Sequence, residues 1–251
     1  MKGKLLWRTG IPALVLILTA GLAGAQAIQI KTSSTGVNYL TDDKGMTLYY
    51  YTLDTNGQSA CYGPCATAWP LFNPDSISVA DGLDASAFSY VTRSDGTRQV
   101  AYNGWPLYYW VNDKQPGDMT GEDVHHVWYI VESPAYTVML GTNKDVGNYL
   151  VDGNGDTLYW FAKDSVGQSA CTGGCLKAWP AFNPTSLVVP PVLDPSDFGT
   201  ITRTDGAMQE TYKGYPLYYW QNDKNRGDVT GQGVGKVWYV IDPASFPPSK
   251  M

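Results

Sequence analysis

Glutamate is nearly absent from this 251-residue chain: of its 23 acidic residues, 20 are Asp and only 3 are Glu. Asp suits turns and caps, whereas Glu suits helix interiors, so a helical bundle is a poor expectation. Histidine is scarcer still, with 2 residues placed side by side as His125 and His126. An enzyme needs a positioned base or nucleophile. With so few His and Glu, and no G-x-S-x-G or H-E-x-x-H pattern, no recognisable catalytic constellation is present, and the expectation is a non-enzyme. Basic residues are thin as well, 17 Lys and Arg against a net charge of −6, with no basic stripe, which argues against a nucleic-acid partner. The acidity is not blocky and reads as solvated turns. What the chain does hold is 27 Gly, 16 Pro, 18 Tyr and 9 Trp, aromatic strand formers among turn makers. The expected class is all-β.

Apolar runs are missing except near the start. Lys2, Lys4 and Arg8 precede an apolar stretch from Ile11 to Ala23, and Ala23-Gly24-Ala25 supplies small residues for cleavage after Ala25. Residues 1–25 therefore read as a signal peptide. The run is shorter than the ~20 residues a spanning helix needs, and no Cys follows it to carry a lipid. A secreted or extracytoplasmic protein is expected, without stable membrane insertion once the signal is removed. Surface association through an uncleaved N-terminal segment is the alternative.

Shifting the chain by 110 residues superimposes it on itself without a gap. Gly57-Gln-Ser-Ala-Cys61 meets Gly167-Gln-Ser-Ala-Cys171, Ala68-Trp-Pro70 meets Ala178-Trp-Pro180, and Pro106-Leu-Tyr-Tyr-Trp110 meets Pro216-Leu-Tyr-Tyr-Trp220. That period suits a small domain rather than a solenoid unit. Two tandem homologous β domains are expected, 26–136 and 137–251, with short hairpins and one short helical turn each. Asp95-Gly96, Asn103-Gly104 and their partners Asp205-Gly206 and Lys213-Gly214 mark hairpins. The helical turn falls between Cys61 and Thr67. Gly231-Gln-Gly-Val-Gly235 has a superficial nucleotide-loop look but reads as a turn.

A fainter sub-repeat runs inside each copy. Tyr49-x-Tyr51-x-x-Asp54, Tyr108-x-Trp110-x-x-Asp113, Tyr159-x-Phe161-x-x-Asp164 and Tyr218-x-Trp220-x-x-Asp223 all have the form Y-x-[FWY]-x-x-D. In a strand the first and third residues share a face, and the Asp is placed to bind backbone N–H groups where the strand ends. Four such half-repeats admit a second architecture, a single closed β arrangement. These motifs, with C-x-x-x-C-x-x-x-W-P and P-L-Y-x-[WY], resemble the secreted repeat family often described as lipoproteins with a Yx(FWY)xxD motif. The resemblance covers nearly all of the mature chain. It implies tandem repetition and a cell-surface or secreted location, and little about activity. The chain departs from lipoprotein members in lacking the lipid-bearing Cys.

Cys61 with Cys65, and Cys171 with Cys175, stand four apart. Residues so spaced in a helical turn have Cα atoms about 6 Å apart, within disulfide range, so an exported chain reads as carrying two local disulfides. The rival is a redox or copper-handling site using the C-x-x-x-C pairs. For calcium, Asp113 with Asp118 and Asp223 with Asp228 are weak candidates, as is the loop Asp152, Asn154 and Asp156. No cofactor is the leading expectation. Tyr50, Tyr109, Trp160 and Tyr219 lie opposite the motif residues on their strands; with Trp69 and Trp179 they form a candidate aromatic binding surface, core packing being the alternative. The functional expectation is a binding or interaction module for a protein or glycan at the cell exterior.

Overall fold

Ile28 and Ile30 alternate with polar residues, the period of a half-buried strand, and they lie in the first strand of the computed structural model, which describes residues 25–54, 58–133 and 136–247. Of the expected signal segment, 1–25, residues 1–24 lie outside the described residues. Repeat 1 runs through β1 (Gln26–Thr32), β2 (Asn38–Thr41), β3 (Tyr49–Tyr51), α1 (Pro64–Ala68), β4 (Ile77–Val79), β5 (Phe88–Thr92), β6 (Arg98–Tyr102), β7 (Trp105–Pro106) and β8 (Trp128–Ile130). Repeat 2 follows with β9 (Val138–Asn143), β10 (Gly147–Asp152), β11 (Tyr159–Phe161), α2 (Gly174–Ala178), β12 (Phe198–Thr202), β13 (Met208–Tyr212), β14 (Tyr215–Pro216) and β15 (Trp238–Val240). The protein is all-β apart from two short helices.

The sheets are small and open. β1 pairs antiparallel with β2 and parallel with β4. β3 pairs antiparallel with β8, and β5, β6 and β7 form a meander. Repeat 2 repeats the plan through β9–β10, β11–β15 and β12–β13–β14. No closed barrel forms among the described residues, so the single closed arrangement is not the architecture. The β6–β7 turn has Asn103 at φ 47° and Gly104 at φ 77°, the left-handed pair that a two-residue hairpin requires. Lys213 and Gly214 reproduce it at 48° and 80°.

The copies differ where proline intervenes. In repeat 1 the Ala80 N–H donates to the Ile28 carbonyl at 2.9 Å and extends the β1–β4 pairing. Its counterpart is Pro190, which has no N–H to give, and no strand matching β4 forms there. Thr137 ties down that segment instead, its backbone N–H donating to the Val188 carbonyl at 2.8 Å.

The core does not stop at the repeat boundary. Tyr50, Trp105 and Tyr129 of repeat 1 belong to one buried cluster with Tyr136, Met139 and Leu140. Tyr50 and Tyr136 rings lie 6.2 Å apart; in repeat 2, Phe246 takes the place of Tyr136 and lies 5.3 Å from Trp160. A polar latch joins the copies as well. The Trp105 indole N–H donates to the Gly153 carbonyl at 3.3 Å, and Arg226 donates to the Asn103 carbonyl at 2.9 Å with its guanidinium 4.2 Å from the Trp105 ring. Gly104 is required beneath it, because a Cβ there would sit 2.1 Å from the guanidinium. Trp105 corresponds to Tyr215 and Arg226 to Pro116, so the latch is built where the repeats have diverged.

Candidate functional site

The motif Y-x-[FWY]-x-x-D acquires its meaning across the two halves of a repeat. Tyr49 and Tyr108 face each other and exchange backbone hydrogen bonds of 2.9 and 3.0 Å. Their hydroxyls then cross over: Tyr49 donates to Asp113 Oδ2 at 2.8 Å, and Tyr108 donates to Asp54 Oδ2 at 2.7 Å. The tyrosine of one motif is thus held by the aspartate of the other. Repeat 2 does the same, Tyr159 with Asp223 and Tyr218 with Asp164, both at 2.7 Å. The second oxygen of each carboxylate caps the outgoing chain. Asp54 Oδ1 accepts from the Ala60 N–H at 2.7 Å, and Asp113 Oδ1 from the Thr120 N–H at 3.0 Å and its hydroxyl at 2.7 Å.

The third motif residue builds a column. Tyr51, Trp128, Trp69 and Trp110 stack in that order with ring centroids 4.1, 3.9 and 4.2 Å apart. In repeat 2, Phe161, Trp238, Trp179 and Trp220 stack at 4.1, 3.9 and 4.0 Å. Tyr49 meets Trp69 edge-on at 5.4 Å and Tyr108 meets Trp128 edge-on at 5.1 Å. Gly121 closes over this packing, since a Cβ there would lie 2.8 Å from Trp69 and 2.9 Å from Tyr49.

Both cysteine pairs are disulfides, Cys61–Cys65 with Cα atoms 5.2 Å apart and Cys171–Cys175 with 5.3 Å, and no described cysteine is free. The loop carrying Cys61 is held from beneath by buried Arg93. This side chain donates to Gln99 Oε1 at 2.8 Å and, at 2.5 Å each, to Ser59 Oγ and the Cys61 carbonyl. Arg203 binds Ser169, Gln209 and the Cys171 carbonyl in the same way. With five residues in the ring, the Cys61→Ser/Cys65→Ser double variant should lose about 2 kcal/mol on the chain-entropy argument. Urea denaturation of the oxidised protein and the variant checks this, and equal midpoints would refute it.

Burial dominates the electrostatics. It pushes the Asp54 carboxyl up to about 7 against the pull of its hydrogen bonds and of Arg93 and Arg226. Asp164 rises to about 6 and Glu122 to about 7 for the same leading reason. A carboxyl whose folded pKa exceeds its unfolded value holds its proton more tightly in the folded state, so its stabilising effect is full at acid pH. That effect is lost as pH rises from about 4 towards 7. The protein should therefore be more resistant to urea at pH 4.5 than at pH 7.5, by about 2–5 kcal/mol. Asp54→Asn should flatten that slope, whereas a midpoint that rises with pH would contradict it.

The sequence-derived candidates fall in unexpected places. Tyr50, Trp69, Trp160 and Trp179 are buried, Tyr50 and Trp160 because both faces of their short strands are covered, Trp69 and Trp179 because each follows a short helix and is sandwiched between two other tryptophans. They cannot present a flat aromatic surface. Tyr109 and Tyr219 are half-buried, and their hydroxyls donate to Asp42 at 2.9 Å and Asp152 at 3.0 Å. Asp118 accepts from the Lys114 and Gln115 N–H groups, and Asp228 from those of Lys224 and Asn225. These carboxylates are engaged as caps, as are Asp113 and Asp223. Asp152 likewise caps its own turn through the Asn154 and Asp156 N–H groups. No cluster of three or more His, Cys, Asp or Glu side chains suited to a metal occurs among the described residues.

A cleft between the copies is the feature that the residue pattern did not disclose. It encloses about 510 Å³, with Tyr129 and His126 of repeat 1 on one side and Tyr212 and Lys213 of repeat 2 on the other. Asp194, Asp197 and Asp242 line it too. The Tyr129 hydroxyl is buried and has no hydrogen-bond partner among the described residues. Lys213 donates to the Phe246 carbonyl at 3.0 Å and stands 3.7 Å from Asp197. Tyr129 recurs in repeat 2 as Tyr239 and Lys213 marks a hairpin, but no pattern in the sequence joins these residues to one another. Only their convergence in space marks them.

A family model described as a secreted repeat of unknown function matches residues 32–73, 89–132, 142–183 and 199–242, more than half of the chain. The matched unit is the half-repeat, so the 110-residue copy comprises two family units. No curated protein and no solved structure matches the chain. No helix of the described residues is long and apolar enough to cross a membrane.

Proposed function

The chain belongs to this family of secreted repeats, and from that premise we propose that it acts outside the cell as a non-enzymatic binding module whose ligand is a glycan. The cleft between the repeats carries the reading. Its volume falls within the range of small-molecule sites. Three carboxylates offer acceptors to sugar hydroxyls, Lys213 offers a donor, and Val192, 40% exposed, offers apolar surface. Carboxylate-to-hydroxyl hydrogen bonds are charge-assisted and about twice as strong as neutral ones. The excess of Asp over Lys in the lining favours a neutral or amino-bearing sugar over an acidic one.

Saturation-transfer NMR against a panel of neutral, amino-bearing and acidic oligosaccharides tests it. Asp197→Asn and Asp242→Asn should each weaken a neutral or amino sugar by roughly tenfold. Absence of binding across the panel, or binding indifferent to both substitutions, would sink the reading, and a peptide that competes for the cleft would replace it. The copper-handling alternative finds no support in the cysteines, since their sulfurs are bonded to each other.

A further inference from the structure

We propose that each repeat is a one-electron relay, in which the aromatic column carries an oxidising equivalent inward from its partly exposed tryptophan to a buried tyrosine that passes its proton to the aspartate it already holds. In repeat 1 the entry point is Trp110, which is partly exposed, while Trp69 and Trp128 behind it are 4% and 3% exposed. The rings touch without a break, and both Tyr49 and Tyr108 rest edge-on against buried tryptophans. Electron exchange between rings in van der Waals contact is fast, because tunnelling decays with the gap between them.

The carboxylates make the tyrosines into sinks. An oxidised phenol is a strong acid, and a phenol radical cation in apolar surroundings is costly. A phenol loses its electron far more readily when a base takes the proton in the same event. Asp113 Oδ2 lies 2.8 Å from the Tyr49 hydroxyl and Asp54 Oδ2 2.7 Å from that of Tyr108. Asp54 is already disposed to accept a proton, since burial raises it to about 7. The step balances as follows: an outer-sphere one-electron oxidant in solution takes an electron from Trp110, and the tryptophan column takes one from the tyrosine. The phenolic O–H bond breaks, and the proton joins the carboxylate. The products are a neutral tyrosyl radical, a neutral carboxylic acid and the reduced oxidant. A reductant at the surface reverses it.

Packing alone asks only for volume, and phenylalanine would supply that. Instead, three tryptophans in register and two carboxylate-bound phenols recur in repeat 2. There Tyr159 meets Trp179 at 5.4 Å and Tyr218 meets Trp238 at 5.1 Å. The one ring that changes is at the far end, where Phe161 replaces Tyr51. Phenylalanine does not oxidise under these conditions, so the conserved entry is Trp110 or Trp220.

The full secreted protein is tested with a flash-generated ruthenium(III) polypyridyl oxidant, reading transient absorption and electron paramagnetic resonance. A neutral tyrosyl radical is expected, forming more slowly in D2O. Trp110→Phe with Trp220→Phe should remove most of its rapid formation. Replacing Tyr49, Tyr108, Tyr159 and Tyr218 by Phe should leave a tryptophan radical instead. A tyrosyl yield unchanged by those four substitutions overturns the proposal. So does the same yield in the urea-unfolded chain, or the absence of a solvent isotope effect in the native protein. The last two comparisons need no variant to fold.

Discussion

Trp69→Ala should lower stability by about 3–5 kcal/mol, the range for truncating a large aromatic in a packed core. Trp69 is sandwiched between Trp128 at 3.9 Å and Trp110 at 4.2 Å, and Tyr49 packs on its edge at 5.4 Å, so its removal opens a void bounded on three sides by rigid rings. Rings fixed in turn by backbone pairing cannot collapse into such a space. The Cys61–Cys65 disulfide restrains the same segment and prevents the loop from following. A domain of this kind has roughly 5–15 kcal/mol in total, so the loss is a large share of it. Trp179→Ala should behave alike, and Trp110→Phe, at the partly exposed end of the column, should cost far less. Guanidinium unfolding followed by far-UV circular dichroism checks the series; a loss below about 1 kcal/mol for Trp69→Ala would show that the column is not a packing unit.

Asp54→Ala is the second large effect, with an expected cost of about 2–4 kcal/mol. It strands the Ala60 N–H and leaves the buried Tyr108 hydroxyl with Ser59 Oγ, 2.7 Å away, in place of a charged acceptor, so one donor bears a desolvation penalty and the other loses a charge-assisted bond. The informative measurement is a double-mutant cycle. Tyr108→Phe should couple to Asp54→Ala by about 1–3 kcal/mol, because they share a hydrogen bond. Tyr49→Phe should couple strongly to Asp113→Ala and weakly to Asp54→Ala, although Tyr49 and Asp54 belong to the same stretch of sequence. Strong coupling inside one motif, and none across the two, would refute the crossed arrangement.

The strands and turns were legible because their determinants are local. Alternation at Ile28 and Ile30, the turn pair Asn103-Gly104, the four-residue spacing of the cysteines and the 110-residue period each reflect neighbours along the chain. The sequence marks the motif aspartates as acceptors for backbone N–H groups, and that is half of what they do. Their other half, the tyrosine from the opposite motif, depends on a pairing between residues more than fifty apart, which no local pattern encodes. The sequence leaves open whether Tyr50 and Trp160 are core or surface for a related reason. Strand alternation says which residues share a face, but not whether a second layer covers it. Here Trp105 and Tyr136 cover Tyr50, and Tyr215 and Phe246 cover Trp160. The cleft was illegible altogether, since His126, Tyr129, Asp197 and Lys213 meet only after both copies have folded and docked.

The divergence of Trp105 from Tyr215 and of Arg226 from Pro116 has a bearing on self-association. The latch between the copies is a head-to-tail contact, in which one face of the first unit meets a different face of the second. Such a contact propagates into open filaments when every unit carries both faces. In this chain the first copy offers an indole and a carbonyl but has proline where the guanidinium stands in the second. The second has the guanidinium but has tyrosine where the first offers the indole. Each complementary face exists once and is consumed within the chain. Neither copy retains the means to recruit a third by the same geometry, which protects a repetitive, aromatic-rich protein from polymerising through its own duplication.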